Sequence, residues 1–235
     1  MVKVGIVGYG YVGKVVERAI AERYRVHTYD AADPKPRRAL VDTCDIAFIC
    51  VPTPAGEDGV CDTSAVDEVL SWIKCPLVVI RSTMPADYEA PSHVVYQPEF
   101  IGESSFAPWR EETEVSLVVS AGEKAQAVLD FWKPILGPQV QYIATDWRTA
   151  AEIKYAVNCH GAVKAAWWQE YLGTCASADT VRNACMAIPW IEPYHTLPLG
   201  GVGGKCFPKD LSAFHATHHT PIAEAALRYC IDPQG

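Results

Sequence analysis

The chain has 235 residues, a length that suits one large or two small domains. Apolar residues make up 49% and charged residues 20% of it, a globular composition with enough hydrophobic material for a core. A formal charge of -8 argues against a nucleic-acid-binding body, because neutralising phosphates takes a basic face, while leaving room for a local basic pocket.

The first residues run straight into a buried strand, Val2–Val7, with no charged region ahead of a long apolar one, so no secretory leader is expected. Tyr11–Glu22 reads as a helix, Arg25–Tyr29 as a second strand, and Leu40–Thr43 as the end of a short helical stretch. Ile46–Val51 is apolar throughout, as a parallel strand covered on both faces should be. Thr63–Ile73 reads as a helix with Asp62 or Thr63 as N-cap. Leu77–Ile80, Val94–Tyr96, Val115–Val119 and Val140–Ile143 read as further strands, with a helix over Glu123–Leu136. Strand and helix alternate, so the expected class is α/β, a doubly wound, mostly parallel Rossmann sheet over residues 1–145.

From residue 146 the pattern changes. Arg148–Cys175 holds no proline, one glycine at its middle, Gly161, and another near its end, Gly173, and reads as one long central helix. A shorter helix follows near Asp179–Met186, residues 188–208 read as a proline- and glycine-rich loop, and Lys209–Cys230 restarts as a helix broken near Pro221. Residues 146–235 are therefore expected to form a small helical lobe. No apolar run reaches the ~18–20 residues of a membrane span, so a cytoplasmic protein with no membrane partner is expected. The nine cysteines lack CxxC pairs and metal spacing, and most read as reduced, buried small hydrophobes. His215, His218 and His219 have no second ligand cluster and read as packing or solvated residues rather than as metal ligands.

Gly8-Tyr9-Gly10-Tyr11-Val12-Gly13 matches G-x-G-x-x-G, and it lies between the first strand and the first helix, the context a dinucleotide turn needs. Gly8 permits the tight turn, Gly10 lets the backbone approach a pyrophosphate, and Gly13 lets helix and strand pack closely. The N–H groups that open the helix, around Tyr11 and Val12, offer positive potential to phosphates. Asp30 ends the second strand, where an acid accepts hydrogen bonds from ribose hydroxyls and repels a 2′-phosphate, so NAD is the expected cofactor. Lys35, Arg37 and Arg38 follow closely and blur that preference.

Five further strings occur in order: Val51-Pro-Thr-Pro54, Arg81-Ser-Thr-Met-Pro85, Gln97-Pro-Glu-Phe-Ile-Gly-Glu103, Ala151-Glu-Ile-Lys-Tyr-Ala-Val-Asn158 and Gly203-Gly-Lys-Cys-Phe-Pro-Lys-Asp210. Together they resemble the UDP-glucose/GDP-mannose dehydrogenase family across residues 1–230. That resemblance implies a four-electron oxidation of a sugar-nucleotide primary alcohol to a carboxylate, using two NAD. It implies that Cys206 is the nucleophile, that Lys154 and Asn158 hold the reacting oxygen, and that Asp210 orients water or assists proton transfer. Glu99 and Thr83 resemble the residues that place a hydrolytic water. Thr53 and Glu103 match positions on the nicotinamide side, with Thr83 beside them, and Lys35 matches one near the adenosine ribose. Gly203, Gly204 and Lys209 match positions that meet substrate, as do Glu99, Lys154 and Asn158.

Elementary chemistry agrees with several of these roles. Lys205 and Lys209 flank Cys206 at the start of a helix, which favours thiolate over thiol. An aldehyde needs a nucleophile if a second hydride is to leave the same carbon. Lys154 and Asn158 lie four residues apart on one helix and so project the same way.

The resemblance also has departures. The family continues into a second Rossmann-like domain, so this chain is expected to be a short form without the nucleotide-sugar-binding domain. Trp190 stands where the family has arginine, and Lys205 where it has a small residue. In this family the central helix builds a dimer, and Trp167, Trp168 and Tyr171 suit such a face, so a homodimer is expected. Two other readings fit the same residues. One is a non-catalytic NAD-binding subunit that pairs with another chain. The other is a single-step alcohol dehydrogenase or reductase that uses Lys154 as acid/base and leaves Cys206 idle.

Overall fold

The computed structural model describes residues 2–33, 38–102, 116–191, 195 and 200–231. The chain divides into two compact units, one formed by Met1–Thr53 with Thr63–Lys154, the other by Pro54–Asp62 with Tyr155–Gly235.

The first unit holds strands β1 (Lys3–Val7), β2 (Arg25–Tyr29), β3 (Ile46–Ile49), β4 (Val78–Ile80) and β5 (Val94–Tyr96). They form one sheet in the order β2-β1-β3-β4-β5, and every pairing is parallel. Two further strands, β6 (Ser116–Ser120) and β7 (Gln141–Thr145), pair in parallel with each other. The Tyr96 N–H donates to Ser120 Oγ at 2.8 Å and ties β5 to β6.

Successive strand residues enter different cores, as expected for strands buried on both faces. Val7, Ile49 and Ile80 join one core with Val66 and Val69 of helix α3 (Ser64–Trp72). Ile6, Phe48 and Val79 join the other, with Val16 and Ile20 of helix α1 (Tyr11–Ile20) and Trp132 of helix α4 (Ala125–Leu136). A four-residue helix α2 (Arg38–Val41) lies between β2 and β3.

Helix α5 (Trp147–Gly173) has 27 residues and is about 40 Å long. Ala150 and Ala151 near its start pack into the first unit's core. Cys159, Ala162, Ala165 and Ala166 pack into the second unit's core. That run of small side chains faces Leu211 of helix α7 (Phe207–His218) and Ala223 and Ala226 of helix α8 (Pro221–Leu227). Helix α6 (Ala178–Met186) has no buried residue. In the Pro54–Asp62 segment Ala55 and Cys61 form an antiparallel bridge. There Gly59 has φ +80°, and a Cβ on it would lie 3.1 Å from Ser212 Oγ of α7.

The elements read from the sequence are present, with three corrections. The expected loop over 188–208 is too long: α7 starts at Phe207, because Pro208 at its opening is compatible with a first turn that needs no N–H there. Thr63 is the N-cap residue of α3 but its hydroxyl donates to Asp67 Oδ2 at 2.9 Å instead of capping a backbone N–H. Only Cys44, Cys75 and Cys159 are buried; the other six cysteines are partly exposed, and no disulfide forms among the described residues.

Candidate functional site

The glycine turn needs its glycines for distinct reasons. Gly8 has φ +88°, and a Cβ there would lie 2.7 Å from the Cys50 backbone. A Cβ on Gly13 would lie 2.2 Å from the Gly8 carbonyl oxygen. Gly10, the N-cap residue of α1, is different, because a Cβ there would meet nothing within 4 Å. The fold needs Gly8 and Gly13, whereas open space faces Gly10. That space, beside a helix start with no acidic residue in its first turn, fits a pyrophosphate. Tyr11 and Val12 form the first turn of α1. Asp30 follows β2, its carboxylate accepting the Tyr9 N–H at 2.7 Å and the Ala32 N–H at 2.9 Å, which fixes it beside the turn. Arg38 is engaged elsewhere: it donates to Tyr29 OH at 3.1 Å and pairs with Glu68, its guanidinium lying 4.8 Å from the Trp72 ring centroid. Lys35, Arg37 and Glu103 lie outside the described residues.

Beyond the C-terminal ends of β3 and β4 the two loops hold each other. Thr53 Oγ1 donates to the Thr83 carbonyl at 2.9 Å, and Ser82 Oγ donates to the Val51 carbonyl at 2.6 Å. All three hydroxyl residues, Thr53, Ser82 and Thr83, are buried. Ser82 did not stand out in the sequence as a site residue. Its signal was only its place inside the Arg81–Pro85 string.

Past β5 stands Glu99, buried and facing Lys154 of α5. Lys154 Nζ donates to Glu99 Oε1 at 2.8 Å and to the Glu99 carbonyl oxygen at 2.6 Å. The Ile101 N–H donates to the other carboxylate oxygen, Oε2, at 2.7 Å. Burial pushes the Glu99 carboxyl up, but the Lys154 charge and hydrogen bond, the Ile101 N–H and the Arg81 charge outweigh it and hold it below the usual value. A solvated-helix role for Lys154 is ruled out, since only 2% of it is exposed. A helix-capping role for Glu99 does not apply either, because no helix starts between residues 97 and 102.

In the second unit Cys206 is the N-cap residue of α7, partly exposed, and its carbonyl accepts the Asp210 N–H at 3.0 Å. Asp210 is buried. It accepts a hydrogen bond from Asn158 Nδ2 at 2.6 Å and pairs with Lys209. The glycine at the middle of α5 now has a reason. A Cβ on Gly161 would lie 2.5 Å from Phe207 Cζ, so the residue after Cys206 is seated against the helix backbone. Gly203 and Gly204 precede the cysteine, Gly204 with φ +88°. Lys154 and Asn158, read from the sequence as one pair, each have a separate carboxylate: Glu99 for Lys154 and Asp210 for Asn158.

Trp168 is buried, which removes it from the expected dimer face. Trp167 and Tyr171 remain exposed, their rings stacked at 5.1 Å. Trp190 is 81% exposed. Among the described residues no group of three His, Cys, Asp or Glu is arranged to hold a metal ion, and no helix is long and apolar enough to cross a membrane.

Known proteins resemble the chain in sequence and in fold. No family model matches the chain. The UDP-glucose 6-dehydrogenase of Rickettsia felis is 27% identical over 203 residues, covering 76% of this chain and 45% of that protein. The chain also matches the UDP-glucose 6-dehydrogenase of Pseudomonas aeruginosa, 27% identical over 196 residues, covering 72% of this chain and 43% of that protein. It spans about half the length of the curated relatives it matches. Among solved structures, a UDP-glucose dehydrogenase from the archaeon Pyrobaculum islandicum shares the fold with a TM-score of 0.79 at 24% identity, over 97% of this chain and 68% of that one. A 3-hydroxyisobutyrate dehydrogenase from Mycobacterium tuberculosis shares it with a TM-score of 0.64 at 18% identity, over 97% of this chain and 92% of that one.

Proposed function

We propose that this chain is an NAD-dependent dehydrogenase acting on the primary alcohol of a sugar or sugar nucleotide, with a carboxylate as product. The observation that carries the reading is the buried Lys154–Glu99 pair just past β5, at the strand ends where sites form in parallel sheets, in a chain with an intact glycine turn. NAD, bound along Gly8, Gly10 and Gly13, with Tyr11 and Val12 at the helix start, Asp30 at the ribose and Thr53 toward the nicotinamide, would supply the hydride acceptor. Lys35 and Glu103 complete that proposed set.

Each protein group then has a task. Lys154, charged and buried, stabilises negative charge developing on the substrate oxygen. Asn158 has a second amide N–H beyond the one given to Asp210, available for the same oxygen. The first oxidation removes a hydride from the alcohol carbon and passes the hydroxyl proton to solvent; the Cys206 thiolate then adds to the aldehyde carbon, giving a thiohemiacetal oxyanion. Loss of a second hydride from that carbon leaves a thioester on Cys206. Water placed by Glu99 and Thr83 hydrolyses the thioester, releasing the carboxylate and the thiol. Asp210 orients Asn158 and Lys209, and Gly203 and Gly204 leave room for substrate beside the cysteine. The exposed, stacked Trp167 and Tyr171 support a homodimer through α5.

The test is NADH production from nucleotide sugars and free sugars, with two NADH per substrate expected and loss of the carboxylate product on Cys206→Ala. A second reading, a one-step alcohol dehydrogenase, draws on the fold shared with nearly the whole 3-hydroxyisobutyrate dehydrogenase chain. It predicts one NADH per substrate and full activity in Cys206→Ala.

A further inference from the structure

Tyr11 stands directly after Gly10 as the first residue of α1, yet its phenol leaves the helix. Its hydroxyl donates to the Gly102 carbonyl oxygen at 2.9 Å, across 91 residues of chain. Gly102 lies with Glu99, Phe100 and Ile101 in a stretch, 99–102, that is neither helix nor strand. Side chains hold that segment in place. Lys154 binds the Glu99 carbonyl and carboxylate, and the Glu99 carboxylate in turn accepts the Ile101 N–H. Lys154 Nζ also lies 5.6 Å from the centroid of the Phe100 ring. Tyr11 holds Gly102, as Lys154 holds Glu99.

We propose that Tyr11 is a positioning residue that couples occupation of the glycine turn to the geometry of residues 99–102, and through them to the Glu99–Lys154 pair. The proposal rests on reading the turn as a dinucleotide site. A ligand on the N–H groups that open α1 restrains the turn from which the Tyr11 ring projects. A tyrosine side chain has only two torsions to lose, so it transmits position with little slack. The Gly102 carbonyl is partly buried, so losing its donor leaves an acceptor that water satisfies only when the segment shifts. Glu99 then inherits the shift, because Ile101 N–H and Lys154 both hold it to this segment.

The experiment is amide hydrogen exchange on the full chain with and without NAD, comparing wild type with Tyr11→Phe, which keeps the ring and removes the donor. In wild type, NAD is expected to slow exchange both at residues 8–16 and at 99–102. In Tyr11→Phe the protection at 8–16 should persist, while the NAD-dependent protection at 99–102 falls about fivefold, the value of one hydrogen bond near 1 kcal/mol. A purely structural hydroxyl would lower protection at 99–102 by the same factor with and without NAD, and that result overturns the proposal. Equal NAD-dependent protection at 99–102 in both proteins overturns it too. If NAD protects residues 8–16 in neither protein, the dinucleotide reading itself fails, and the coupling with it.

Discussion

Lys154 and Glu99 meet twice, once ammonium to carboxylate at 2.8 Å and once ammonium to backbone carbonyl at 2.6 Å, with both side chains withdrawn from water. The carboxylate is thereby held below its ordinary value of 4.5 even though burial alone would raise it. A group depressed in the folded state stabilises the protein above its unfolded value, and that contribution is lost as pH falls through the folded one.

Lys154→Met removes two of the four contributions that together outweigh burial at Glu99, the charge and its hydrogen bond. The variant is expected to lose about 3–5 kcal/mol of stability at neutral pH, the cost of leaving one buried charge without its partner. Its Glu99 carboxyl should move up, reversing the sign of its pH dependence. The gap between wild type and variant should therefore narrow as pH falls below 4.5. Urea denaturation across pH 3.5–8 reads this out; a gap that stays constant over that range contradicts it.

Gly10→Ala and Gly13→Ala should separate binding from folding. A methyl on Gly10 meets no protein atom within 4 Å, so its melting temperature should stay near wild type. It projects into the space assigned to the pyrophosphate, and NAD affinity should fall about tenfold or more, equivalent to ~1.4 kcal/mol. A methyl on Gly13 would stand 2.2 Å from the Gly8 carbonyl oxygen, so that variant should lose stability as well. Calorimetry of melting and of NAD binding tests the pair.

Gly161→Ala sets two effects against each other. Helix propensity gains about 1 kcal/mol, but the added methyl would stand 2.5 Å from Phe207 Cζ. Overpacking of this kind costs ~1–3 kcal/mol, so net destabilisation is expected despite the better helix former. Chemical denaturation yielding a more stable variant would show that Phe207 moves aside freely.

The cysteines should react unequally. Burial pushes the thiols of Cys75 and Cys159 up to about 12, so both stay protonated at pH 8. Cys206 is partly exposed at the start of α7 between Lys205 and Lys209. Iodoacetamide at pH 8, followed by peptide mass spectrometry, should label Cys206 well before Cys75 or Cys159. Labelling in the reverse order would remove the basis for a thiolate at position 206.

Much of the fold was legible in the residues. The alternation of strand and helix, the apolar run at Ile46–Ile49 and the long proline-free stretch that became α5 follow from local periodicity, and periodicity survives in a linear string. The glycine turn was legible for the same reason, because strand, turn and helix are neighbours in sequence. The pairings inside the candidate site were not. Lys154 and Asn158 are a helical turn apart and invited reading as one clamp, yet their carboxylate partners come from 55 and 52 residues away.

Sequence by itself determined the glycine turn and the elements that carry Glu99, Lys154, Asn158, Cys206 and Asp210, because residue type and short-range spacing act locally. Tertiary structure alone decided that Glu99 takes Lys154, that Asp210 takes Asn158, that Gly161 exists to seat Phe207, and that Trp168 is core rather than surface. Those outcomes depend on burial. A charge or amide removed from water must find whichever partner packing delivers, and packing is set by the whole chain.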